Sequence, residues 1–176
     1  MNNPFIHIVR FVVLILPQVL LLNDINFLGY INPYLYILFI ILLPAGINQT
    51  RLLFFSFLLG ITVDMFEDSG GMHACACLLM AYVRPLILRF SFGLSYDYQT
   101  LKFSKTPFGS RLTYITLMVL VHHLTLFSLE IFNASHILSI LKNTLFSGVF
   151  SILVIIITTT LFSKKRTWEN SYYLAS

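Results

Sequence analysis

Charge is scarce in this chain. Asp, Glu, Lys and Arg make up 10% of its 176 residues, against 57% that are apolar, whereas soluble domains carry roughly 25% charged residues. So little polar surface cannot cover a water-soluble globule. At about 20 apolar residues per crossing, six crossings take roughly 120 residues and leave no room for an appended soluble domain. Cysteine is nearly missing too: Cys75 and Cys77 are two residues apart, point to opposite sides of a helix and cannot pair. There is no Gly-x-Ser-x-Gly elbow, no His-Glu-x-x-His zinc motif and no glycine-rich phosphate loop. A lone intramembrane Asp does not make the two-carboxylate arrangement of an aspartyl enzyme. No repeat of fixed period and no low-complexity tract is present. A non-enzymatic membrane protein is the expectation.

What the chain has is apolar length, with a mean hydropathy of +0.84. Length, helix breakers and flanking charge predict one all-α membrane domain over 1–176, a six-transmembrane-helix bundle with spans at about 5–22, 32–47, 50–66, 71–88, 112–132 and 143–162. Pro17 is expected to kink the first span, which lacks the basic head and cleavage site of a signal peptide. Asn32-Pro33 reads as the cap and first position of the second helix, beside an aromatic belt of Tyr30, Tyr34 and Tyr36. The third span is short: its uncharged stretch from Leu52 to Val63 makes only about 18 Å of helix, so Asp64 is expected to be partly buried. Asp68 or Ser69 can cap the fourth helix. Residues 137–142 are read as interfacial.

The charge pattern orients the spans. With both termini in the cytoplasm, Arg10, Arg51, Arg84, Arg89, Lys102, Lys105, Arg111, Lys164, Lys165 and Arg166 all lie inside, and of the 11 Lys and Arg residues only Lys142 lies outside. The opposite orientation would export those ten, against the positive-inside rule. A pI of 9.2 is therefore a topology signal, and no nucleic-acid partner is implied. The long loop 91–110, carrying Lys102 and Lys105, is a basic cytoplasmic loop suited to anionic lipid or an acidic partner, although solvated charge is the simpler reading.

Few residues are chemically conspicuous. Asp64, costly in hydrocarbon, must find a partner or a wet cavity; it is either an ion, proton or helix-contact site, or a charge that ends a short span. Gly70, Ala74, Cys77 and Ala81 draw one small-residue stripe, which predicts a close helix seam, within this chain or with another. His73 and Cys77 share a face, but no further metal ligand has suitable spacing. His122 and His123 diverge by about 100° on a helix, so at most one faces a given cavity; either a proton relay or hydrogen-bonded packing fits.

A family resemblance rests on several runs in order. Gly60-Ile-Thr-Val-Asp64, Gly70-Gly71-Met72-His73-Ala74 and Leu79-Met-Ala-Tyr82-Val-Arg84-Pro85, preceded by Asn32-Pro33-Tyr34-Leu35-Tyr36-Ile37 and Leu42-Leu43-Pro44, resemble the bacterial rod shape-determining protein MreD family. The similarity covers residues 17–90; beyond it only hydrophobicity matches. It implies a multi-pass protein of the bacterial inner membrane, with a fold similar to the substrate-binding component of energy-coupling-factor transporters. It also implies a scaffold of the cell-elongation machinery that binds MreC and helps couple MreB filaments to RodA, its transpeptidase partner and peptidoglycan synthesis. Carried over by position, the interaction or structural residues are Asn32, Pro33, Gly60, Asp64, Gly70, Gly71, His73, Ala74, Tyr82 and Arg84. No catalytic, metal or cofactor residue carries over. The alternative is a small-molecule-binding transport component with a cavity lined by Asp64, His73, Gln18 and His122.

Overall fold

A computed structural model of the protein describes residues 4–22, 32–93, 106–131 and 136–173, with side chains from 9 to 160. Among these the chain is helical, without strands. Helix α1 (Pro4–Pro17) gives way at its proline to one π turn, Gln18–Leu22. Pro17 has no N–H to continue the ladder, and a wider turn accommodates the loss. A 3₁₀ turn, Leu35–Ile37, leads directly into α2 (Leu38–Leu42). Then follow α3 (Gln49–Glu67), α4 (Met72–Phe92), α5 (Phe108–Ile131) and α6 (Ile137–Tyr173).

Helices α3, α4, α5 and the Ile137–Thr160 part of α6 are each long and apolar enough to cross a membrane. They pack in sequence, α3 on α4, α4 on α5 and α5 on α6. The apolar helix Val9–Leu22 is shorter. Four helices of spanning length thus stand where six were expected. The second expected span differs most: residues 32–34 are not helical, and the helix is confined to Leu35–Leu42. Its eight residues rise about 14 Å, half of a hydrocarbon core. Asn32 and Pro33 therefore do not form the expected helix start. Other boundaries shift by a turn. Helix α4 continues to Phe92 and α5 begins at Phe108, which shortens the loop, and 137–142 belong to α6. Asp24, Tyr30, Lys102, Lys105 and the side chains of Lys164, Lys165 and Arg166 lie outside the described residues.

The short segment is the centre of the molecule. Tyr36, Ile37, Leu38, Phe39, Ile40 and Ile41 are each 2% exposed or less. A helix apolar on every side belongs inside, and this one lies within the core that the other helices enclose. Lipid is as apolar as leucine, so burial there gives the bundle little hydrophobic drive; close packing and satisfied polar groups must hold it. Close packing is plainest between α3 and α4. A Cβ placed on Gly60 would stand 2.4 Å from Ala74 Cα, so only glycine allows the two backbones this approach.

Candidate functional site

The α3–α4 turn gathers the motif residues. Helix α3 ends at Asp68 in the left-handed region (φ 51°), and Gly70 and Gly71 follow at φ 63° and 96°. Three positive-φ positions within four residues reverse the chain tightly, and glycine adopts two of them without a Cβ penalty. The reversal brings the N-terminus of α4 back onto Asp64. Its Oδ1 accepts from His73 N at 2.9 Å and Ser69 Oγ at 2.5 Å, and its Oδ2 accepts from Ala74 N at 2.8 Å. Asp64 is 5% exposed. It, rather than Asp68 or Ser69, caps α4, and the carboxylate sits where the positive end of a helix dipole favours it.

His73, held by that cap, starts a buried chain of hydrogen bonds. Its Nε2 lies 2.7 Å from Glu67 Oε2, and its Nδ1 lies 2.7 Å from Tyr36 Oη. Tyr36 Oη is also 2.7 Å from His122 Nε2. The single hydroxyl proton of Tyr36 can go to only one of the two rings, so Tyr36 accepts from the other and links the tautomers of His73 and His122. The chain ends on two buried atoms that find no hydrogen-bond partner among the described residues, His122 Nδ1 and Glu67 Oε1. His123 turns the other way. Its ring nitrogens lie 2.9 Å from Val119 O and 3.1 Å from Ser151 Oγ. Both histidines are fully buried, each serving a different seam as their divergence on α5 requires.

Other polar side chains hold the ends of the central segment. At the start, Gln18 Nε2 donates to Pro33 O at 3.2 Å, while Gln18 Oε1 accepts from Leu35 N at 2.7 Å and Tyr36 N at 3.4 Å. Ser151 Oγ accepts from Tyr34 N at 2.9 Å. At the finish, Tyr114 Oη donates to Ile41 O at 3.3 Å and Arg10 Nη1 to Leu42 O at 3.3 Å. Arg84 donates to Leu43 O through Nη2, to Pro44 O through Nη1 at 3.3 Å, and to Tyr114 Oη through Nε at 2.9 Å. Broken helix inside a bundle persists only where such partners replace the missing ladder.

The sequence candidates fall into three groups. Gly60, Asp64, Gly70, Gly71, His73 and Ala74 meet at one turn. Pro33 and Arg84 serve opposite ends of the central segment, and Asn32 precedes it. Tyr82 stands apart, 67% exposed on the outside of α4. Of the small-residue stripe, Ala74, Cys77 and Ala81 are buried, whereas Gly70 lies in the turn and is exposed. Cys75 is exposed and Cys77 buried. Among the described residues no group of three His, Cys, Asp or Glu is placed to hold a metal. Sequence reasoning did not single out Tyr114 or Ser151, and it cast Gln18 only as a cavity wall. Their signal was present: polar groups in apolar runs that must find protein partners.

Comparison of the chain with protein-family models, with curated proteins and with solved structures returned no match.

Proposed function

We propose that the chain is a non-enzymatic scaffold of the MreD type. In this reading it lies in the bacterial inner membrane with both termini inside. The first apolar helix and the central segment supply the two crossings beyond the four long helices. It binds the transmembrane helix of MreC and so helps couple MreB filaments to RodA, its transpeptidase partner and wall synthesis. One observation carries the reading. Most of the interior polar side chains described above bond to one another or to the chain's own broken segment, which leaves the outer helix faces to act on neighbours. Tyr82 and the apolar outer residues of α4, Leu79, Leu86 and Phe90, are exposed there.

The order of the motif runs supports MreC as the neighbour. Among the described residues, the groups that a transport component would turn toward a ligand are engaged: Asp64 caps α4, Gln18 holds the central segment, and His73 and His122 bind Tyr36. Affinity isolation of the intact protein from membranes tests the proposal. MreC is expected to co-purify, and Asp64→Leu or Gly71→Leu is expected to weaken its recovery and round the cells. Rod-shaped cells with an intact complex in both variants would overturn the assignment. A stoichiometric small molecule on the wild type in native mass spectrometry would favour transport instead.

A further inference from the structure

Arg84 is the largest of the fully buried side chains, 2% exposed. Its three hydrogen bonds all go to neutral acceptors, two carbonyls and a phenol. They use three of its five N–H groups. Part of its charge is answered by the carbonyl end of α2, which as a helix C-terminus carries at most about half a negative charge. Among the described residues no carboxylate answers the rest. The described acidic side chains Asp64, Glu67, Asp68 and Glu130 all belong to the opposite end of the bundle, at the α3–α4 turn and the end of α5. A buried charge without an opposite charge is costly and usually has a partner.

Beside the guanidinium lies a cavity of about 70 Å³, lined by Leu42, Pro44, Ala45, Arg84, Leu88 and Tyr114 among others. That is room for about two waters, at roughly 30 Å³ each, or for the oxygens of one phosphate. Its depth in the bilayer follows from α3. Gln49 Nε2 reaches Ala81 O and Tyr82 O, each at 3.4 Å, so α3 begins level with the turn of α4 that carries Arg84. Helix α3 is 19 residues long, and its rise of about 28 Å from that level to Glu67 is close to the thickness of a hydrocarbon core. The cavity therefore opens near headgroup depth. Arg51, Arg89 and Arg111 stand in the end turns of α3, α4 and α5 at the same end, and favour a ligand with net negative charge.

We propose that Arg84 and this cavity bind the phosphate of an anionic phospholipid headgroup. The phosphate oxygens accept the guanidinium N–H groups left over by the carbonyls, and the acyl chains stay outside along α4. The site is independent of MreC binding. It makes the α2–α3 turn a lipid-gripping point, fastened to the central segment through the same arginine.

The test uses the purified full chain in neutral detergent, titrated separately with phosphatidylglycerol, phosphatidylcholine and inorganic phosphate. Native mass spectrometry and the thermal midpoint are read. Phosphatidylglycerol is expected to add one tightly held copy and raise the midpoint saturably, with phosphatidylcholine about tenfold weaker or more, because its choline cation cancels the phosphate charge beside Arg51, Arg89 and Arg111. Arg84→Gln should lose the bound copy, while Arg51→Gln should keep it. Should Arg84→Gln fail to fold, Ala45→Phe fills the cavity and leaves the arginine in place; it too should lose the copy. Retention of the copy by Ala45→Phe, or equal binding of the two lipids, would overturn the site. Inorganic phosphate binding as tightly as phosphatidylglycerol would overturn the lipid as its source.

Discussion

The two ends of the central segment Leu35–Leu42 are held by opposite chemistry. At its start the exposed backbone groups are mostly N–H, and they meet neutral acceptors, Gln18 Oε1 and Ser151 Oγ. At its finish they are carbonyls, and they meet donors, two of them cationic: Tyr114, Arg10 and Arg84. A helix leaves donors unsatisfied at one end and acceptors at the other, so the polarity of the backbone dictates which side chains fit each end. The difference extends to surroundings. Gln18 is fully enclosed, as is Tyr36, from whose N–H it accepts. Arg84 adjoins a cavity that Leu43 and Pro44 also line, with room for water beside their carbonyls.

That contrast sets an order of expected effects. Gln18→Ala strands the N–H groups of Tyr36 and part-buried Leu35 and the carbonyl of Pro33, and should destabilise the protein by at least about 3 kcal/mol, at 1–3 kcal/mol for each unsatisfied group. Unfolding of the micellar protein by denaturant titration measures it. Arg84→Met strands two carbonyls that water can partly reach, so about 2–3 kcal/mol is expected in the same titration. An arginine variant that proves the more damaging would break the contrast between a dry and a wet end. Since the ends are about 12 Å apart along the segment, the double variant should be additive within about 0.5 kcal/mol. A larger coupling would mean that the segment shifts as a rigid unit.

Tyr36→Phe removes the link between His73 and His122 and is expected to lose about 1–2 kcal/mol. Smallest is Tyr82→Ala. On an outer face it should change stability by less than about 0.5 kcal/mol while lowering recovery of MreC. An equal loss of both would place Tyr82 with the structural residues rather than at a contact surface.

Much of this was legible in the residues, and the rest failed for identifiable reasons. Low charge and long apolar runs gave the all-helical class and the four long helices, because a bilayer requires both and little else reads the same way. The need of Asp64 for a partner was readable from its depth alone. Its partners were not, since Asp68 and Ser69 stand closer to α4 in sequence and are equally good caps; the positive-φ turn at Asp68, Gly70 and Gly71 selects Asp64 by folding α4 back over it. The central segment was misread because hydropathy registers how apolar a stretch is and carries no information about its length as helix. Composition and periodicity act between neighbours in sequence, and they settled class, spans and the presence of costly polar groups. The pairing of Gln18 with Leu35 and Tyr36, of Ser151 with Tyr34, and of Arg84 with Leu43 joins distant parts of the chain. Such pairings exist only once the helices have packed, because each depends on where a neighbouring helix places its side chain.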